Sequence, residues 1–219
     1  MKKAILIYSG GLDSTVLLHK LIKDGLAGGA IAFNYGQKHL KEIDIARKNC
    51  EKLKVDFQVA DISSLSPIFG ASALTNANTH IPQGAYEEGN MRATVVPNRN
   101  MIFLSIAAAY AITKKCAHLA YAAHSGDHAL YPDCREEFAL AADKALRLCD
   151  YAEISLLRPF VDMSKADIVK LGADLGVDFS STWSCYKGGD IHCGLCGTCV
   201  ERRQSFKFAG VKDPTVYEG

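Results

Sequence analysis

The sequence predicts an α/β protein, a doubly wound, Rossmann-like parallel sheet with a small cysteine module at its C-terminal end. Three observations predict it. Short apolar runs alternate with amphipathic helical stretches over most of the chain. A glycine turn, Ser9-Gly10-Gly11, joins the first run to the first helical stretch. Four of the eight cysteines, Cys185, Cys193, Cys196 and Cys199, crowd into the tail. We read residues 1–180 as the α/β domain, with an irregular insertion at 63–95, and residues 181–219 as the cysteine module.

Lys3 to Tyr8 is a short apolar run ending at the glycines, as a strand buried on both faces would be. From Ser14 the apolar residues Val16, Leu17, Leu18, Leu21 and Ile22 share one helical face, and Gly25 stops the helix. Ala30 to Asn34 predicts a second strand, Lys41 to Leu53 a second helix, and Val55 to Ala60 a third strand. Ser63 to Val95, rich in Ser, Asn, Gly and Pro, breaks the rhythm and reads as either a lid over a site or a floppy surface insertion. Asn100 to Thr113 is a strongly apolar helix, His118 to Ala123 a strand, Glu136 to Leu148 a helix and Glu153 to Leu157 a strand. Ser164 to Leu175 is a helix closed by Gly176.

Composition narrows the function. Twenty-five Lys+Arg against 24 Asp+Glu give a net charge of +1, so no global field favours nucleic acid or an acidic membrane. The most apolar stretch, Met101 to Ile112, is too short to span a bilayer, and the run after Met1-Lys2-Lys3 is too short for a leader. The expectation is a cytoplasmic protein whose cysteines bind metal or pack in the core.

The string Ser9-Gly10-Gly11-Leu12-Asp13-Ser14-Thr15 lies between a predicted strand and helix. Glycines there let several backbone N–H groups face one point, and the helix start adds a positive dipole end. Ser9, Ser14 and Thr15 add hydroxyls, so the turn predicts a phosphate cradle. It has no lysine of its own and matches neither a Walker A loop nor a dinucleotide fingerprint. Asp13 suits such a place beside a Mg²⁺ ion or as a helix cap.

Positive groups for the phosphates must come from elsewhere. Arg99, in Val96-Pro97-Asn98-Arg99-Asn100, can fork onto phosphate or carboxylate, or sit on a solvated helix start, with Asn98 as cap. Lys165 follows Ser164, which forms a capping box with Asp167. A cation there opposes the helix dipole, so Lys165 either serves an anion or is merely solvated. Asp127 and Asp133, after the fourth strand, can take the donor edge of a purine-like base or water on a metal. His124 and His128 read as loop histidines before acid–base groups or ligands, and Cys134 as a packed thiol before a nucleophile.

Cys185-x7-Cys193-x2-Cys196-x2-Cys199 predicts a closed four-thiolate site, structural Zn²⁺ in preference to an iron–sulfur cluster, with His192 a bystander. Arg202, Arg203 and Lys207 read as a solvated helix face, with nucleic-acid contact as the alternative.

The Ser9 to Ser14 string resembles the PP-loop ATP pyrophosphatases. Together with Phe33 to His39, Val96 to Asn100, Tyr131-Pro-Asp-Cys-Arg135, Pro159 through Lys165, the four cysteines and Asp213 to Tyr217, the pattern resembles the 7-cyano-7-deazaguanine synthase family over almost the whole chain. The resemblance implies an adenine nucleotide alpha hydrolase-like fold. It implies that Tyr8, Ser9, Gly10, Gly11, Leu12, Asp13, Ser14 and Thr15 bind ATP with Mg²⁺, that Arg99 and Lys165 neutralise phosphates, and that Asp13, Asp127 and Asp133 complete the catalytic set. It further implies 7-carboxy-7-deazaguanine and ammonia as substrates, two adenylations through an amide, a nitrile feeding queuosine in tRNA, one structural Zn²⁺ per chain and a homodimer. No direct nucleic-acid or membrane partner is expected. The competing expectations are another PP-loop enzyme such as a tRNA-thiolating enzyme, the same chemistry serving DNA modification or defence, and an ATP-sensing zinc-ribbon adaptor for nucleic acid, which the +1 charge disfavours.

Overall fold

The computed structural model of the chain describes residues 2–70, 72–76 and 78–218. Five parallel strands, β1 (Ala4–Ile7), β2 (Ala27–Asn34), β3 (Phe57–Asp61), β4 (His118–Ala120) and β5 (Ser155–Leu157), pair in the order β3-β2-β1-β4-β5. The chain winds outward from β1 to β3, then returns to the other side of β1 for β4. The switch point therefore lies between β1 and β4, at whose carboxyl ends an open sheet leaves a crevice.

The helices are α1 (Leu12–Lys23), α2 (Lys41–Leu53), the single turn α3 (Glu88–Met91), α4 (Arg99–Thr113), α5 (Glu136–Leu146), α6 (Lys165–Asp174) and α7 (Gly197–Ala209). Apolar residues of both sheet faces are buried, which is why the strands read as continuous runs rather than alternations. On one face Ile5, Ile31 and Leu119 pack under Leu104, Ala107, Ala108 and Ala111 of α4. On the other, Leu6, Ala30 and Ala120 pack under Val16 and Leu17 of α1, with Ile168 and Val169 of α6.

The predicted elements appear with shifted ends. α1 starts at Leu12, two residues early, and β2 extends back to Ala27 through two glycines. β4 ends three residues early, at Ala120, because Tyr121 already belongs to the loop that lines the cleft, and β5 begins two residues late, at Ser155. Gly25 and Gly176 adopt φ of +71° and +70°, as the stop signals require. Asn98 sits at the start of α4 with φ +57° and no side-chain cap, so its role is a left-handed bend rather than capping. Counted with the turn before it, Arg92–Thr113 is the one stretch among the described residues long and apolar enough to cross a membrane, longer than the sequence suggested. Its inward face packs on the sheet.

Described residues of the 63–95 insertion pack onto the rest of the chain. Phe69, Leu74 and Met91 are buried, the Lys38 N–H donates to Leu74 O (2.9 Å), and Gln83 forms an antiparallel bridge with Cys196.

Candidate phosphate site and thiolate centre

The phosphate turn follows β1 directly at the switch point. Gly10 has φ +78°, and a Cβ there would stand 2.5 Å from the Glu42 carbonyl of α2, so only glycine fits. Gly11 is the N-cap of α1 and offers no side chain, leaving the first amides of α1 available to an anion. A buried hydrogen-bond chain fixes the turn from below. Asn49 Nδ2 donates to the Tyr8 hydroxyl (2.9 Å), which lies 3.2 Å from Thr15 Oγ1, and Thr15 Oγ1 donates to Gly11 O (2.7 Å). Ser9 Oγ accepts from the Gly11 N–H and lies 3.2 Å from Ser14 Oγ.

A cleft of about 250 Å³ opens above this turn, lined by Tyr8, Ser9, Gly11, Asp13, Ser14, Arg99 and Asp127, together with Phe33, Tyr35, His39, Glu42, Phe103, Tyr121 and Tyr186. Most of the expected site residues thus converge. Leu12 instead faces the core, and Thr15 is buried with its hydroxyl turned to Gly11 O. Asp133 stands at the start of α4, its carboxylate 3.4 Å from the Asn100 N–H, outside the cleft lining. Arg99 does not lie on a solvated helix start. Burial opposes its charge, but Tyr35, Tyr186, Cys134 and Asp133 outweigh it and raise its pKa.

Lys165 is brought to the turn from α6. Ser164 and Asp167 form the expected capping box, and the Lys165 ammonium lies 2.7 Å from Glu201 Oε2 and 3.3 Å from Asp13 Oδ2. Burial works against the ammonium, but Asp13, Glu201 and Asp127 more than offset it, so its pKa is raised. Asp13 shows the complement: burial pushes it up, yet Lys165 and His124 hold it below the usual carboxylate range.

Several residues of this cluster carried no signal the sequence reading could use. His124 is 1% exposed, with Nε2 3.5 Å from Asp127 Oδ2 and 3.7 Å from Asp13 Oδ2, and Nδ1 accepts from the Gly126 N–H. It is buried against two carboxylates of the candidate site, Asp13 and Asp127. Tyr86 of the insertion donates to Asp127 Oδ1 (2.8 Å), and Glu201 comes from α7. Neither lies in a motif, and only folding places them here. At the other end of the cleft, Glu42 accepts from Gln37 Nε2 and burial pushes its pKa up to about 8. Burial and the charge of Arg99 push the adjacent His39 down to about 4.

Asp13 Oδ1, His39 Nδ1 and Tyr121 Oη are buried at the cleft without a protein hydrogen-bond partner. Polar atoms so placed are suited to a polar ligand. Asp13, Asp127 and Glu201 are hard oxygen donors of the kind Mg²⁺ takes, and His124, Asp127 and Glu201 present ligand atoms within 4.8 Å of one another.

The four tail cysteines converge. Their sulfurs lie within 4.8 Å of one another, all buried, a geometry that can hold a metal ion. The Cys193 N–H donates to Cys185 Sγ and the Cys196 N–H to Cys193 Sγ, each at 3.4 Å, as amides do toward thiolates. His192 is not in the set; its Nε2 accepts from the Ser184 N–H and its ring packs on Trp183 at 4.2 Å. Cys134 is buried at the cleft, Asn100 Nδ2 lies 3.5 Å from its sulfur, and burial raises its thiol pKa well above normal, which disfavours the thiolate. Arg202 corrects the solvated-face reading, for it is 0% exposed and bonds Phe179 O, Thr182 Oγ1 and Ser184 Oγ.

A glycine turn at the switch point of a parallel sheet, joined to a cluster of four cysteines, defines an α/β fold of the PP-loop kind. Solved structures agree on the fold. NMN synthetase from Francisella tularensis superposes with a TM-score of 0.52 at 17% identity, over 96% of this chain and 78% of that one. The chain belongs to the family described as "Queuosine biosynthesis protein QueC", whose profile matches residues 3–210. A relative from Caldicellulosiruptor saccharolyticus named 7-cyano-7-deazaguanine synthase is 51% identical, over 99% of this chain and 96% of its own. One of the same name from Methanoregula boonei is 51% identical, over 99% of both chains.

Proposed function

We propose that the protein is an ATP-dependent ligase that converts 7-carboxy-7-deazaguanine and ammonia to 7-cyano-7-deazaguanine, in queuosine biosynthesis. The observation that carries this reading is the similarity to the synthases over nearly the full length, phosphate turn and cysteines included. The substrate carboxylate attacks the α-phosphorus of ATP, giving an acyl adenylate and pyrophosphate. Ammonia displaces AMP to leave an amide. The amide oxygen attacks the α-phosphorus of a second ATP, releasing pyrophosphate and one N–H proton, and loss of AMP with the other N–H proton gives the nitrile.

In this reading the Gly10 amide, the start of α1 and the hydroxyls of Ser9 and Ser14 hold the departing pyrophosphate. Lys165 and Arg99 neutralise it. Mg²⁺ brought with ATP offsets triphosphate charge, and Asp13, with Asp127, would hold it. Tyr86 ties the insertion to Asp127, which fits a cover that keeps water from the adenylate. Asp133 acts at one remove, through the start of α4 that carries Arg99 and Asn100. The thiolate centre is a structural Zn²⁺ site, because four buried cysteines leave no open position. Residues 1–180 and 181–219 form the ATP-binding domain and the zinc module of a cytoplasmic homodimer.

The test is mass spectrometry on protein supplied with 7-carboxy-7-deazaguanine, Mg-ATP and ammonium. Nitrile with AMP is expected; AMP with an unchanged base would discard the deazapurine.

A further inference from the structure

We propose that Glu201 is a positioning residue for the phosphate site, holding the Lys165 ammonium over the phosphate turn from the helix that the cysteine centre anchors. This rests on the reading of the turn as an ATP site. Cys196 is the N-cap of α7 and Cys199 lies in its first turn. Glu201 follows two residues later, about 200° around the helix from Cys199. One side of α7 therefore faces the sulfurs and the other faces the phosphate turn. Glu201 is 9% exposed, and its carboxylate reaches Lys165 at 2.7 Å.

Lys165 needs such a holder. It is the first residue of α6, where the helix dipole repels a cation, and its four-carbon stem has many rotamers. Asp13 alone, at 3.3 Å, is the looser contact and belongs to the turn itself. Glu201 is fixed more firmly, because its neighbour Arg202 bonds Phe179 O at 3.0 Å and Thr182 Oγ1 at 2.8 Å. With two of the three ammonium N–H directions taken by Glu201 and Asp13, the third remains for a phosphate oxygen. Glu201 touches no reacting atom in this scheme and acts through Lys165.

The test is a double-mutant cycle on the metal-loaded protein with Glu201→Ala, Lys165→Met and the pair. Mg-ATP binding by calorimetry is read beside kcat and the KM for the deazapurine. Glu201→Ala should weaken Mg-ATP binding about tenfold and lower kcat, with the KM for the base and the metal content unchanged. The double variant should be no worse than Lys165→Met alone. Glu201→Gln, which keeps an acceptor, should lose less. Effects that multiply independently, or wild-type Mg-ATP binding in Glu201→Ala, would overturn the proposal. Should Glu201→Ala lose metal or fail to fold, the same cycle is run with Glu201→Gln and judged by the same criterion. Mg-ATP binding needs no deazapurine, so a wrong base leaves this result readable.

Discussion

The Trp183 N–H donates to the Gly10 carbonyl at 3.0 Å, which ties the phosphate turn to the segment leading into the four cysteines. The same tryptophan donates its indole N–H to Cys185 O at 2.7 Å. The carbonyl of Ser181, two residues earlier, accepts from Asn49, which also holds Tyr8 under the turn. The turn is thus braced by the cysteine segment as well as by its own strand and helix.

Loss of the metal should therefore be felt at the nucleotide. Cys196→Ser should drop bound metal from about one ion per chain to near none, lower Tm and weaken Mg-ATP binding. Metal analysis, melting and calorimetry check it. A metal-free variant with unchanged Tm would refute a structural centre.

Gly10→Ala places a Cβ 2.5 Å from a backbone carbonyl at φ +78°. Left-handed backbone alone costs a non-glycine residue about 1–2 kcal/mol, and the collision adds to it. We expect Tm to fall by on the order of 10 °C and AMP formation to be nearly abolished. Gly210, left-handed at φ +68° and ψ +22° but with open space around it, is the control: Gly210→Ala should show the backbone cost alone.

Lys165→Met removes the ammonium between Asp13 and Glu201 while keeping most of the stem. We expect kcat to fall about 10²- to 10³-fold, the scale of losing one preorganised charge contact to a departing anion. Metal content should be unchanged. Steady-state AMP production measures the effect, and unaltered kinetics would remove Lys165 from the site.

Glu42 predicts a pH dependence of stability. Its folded pKa, about 8, lies above its ordinary value of 4.5, so between these limits the folded state holds the proton that the unfolded state has lost. Its contribution is fully present below about 4.5 and is lost as pH rises through 8. His39, pushed from 6.5 to about 4, acts in the opposite sense between those values. Above 6.5 the His39 contribution no longer changes, and Glu42 by itself should lower stability by about 1–2 kcal/mol by pH 8. Glu42→Gln keeps an acceptor for Gln37 and should flatten that slope in melts from pH 6.5 to 8.5.

The sequence by itself determined the layout. Buried strands, amphipathic helices and glycine stops are local patterns, so the order of strands and helices, the glycine turn after β1 and the clustering of the four cysteines were all legible in the string. The Ser164–Asp167 capping box could be read for the same reason, since its partners are three residues apart. Tertiary structure alone decided which distant groups share the site. Glu201 lies 36 residues from Lys165, Tyr86 lies 41 from Asp127, and His124 looked like any loop histidine until folding buried it beside Asp13. It also turned Arg202 from a presumed surface charge into a buried clamp and kept Asp133 out of the cleft. Charge and hydrogen-bonding partners act through space at a few ångströms, and only the sheet order β3-β2-β1-β4-β5 brings those segments that close.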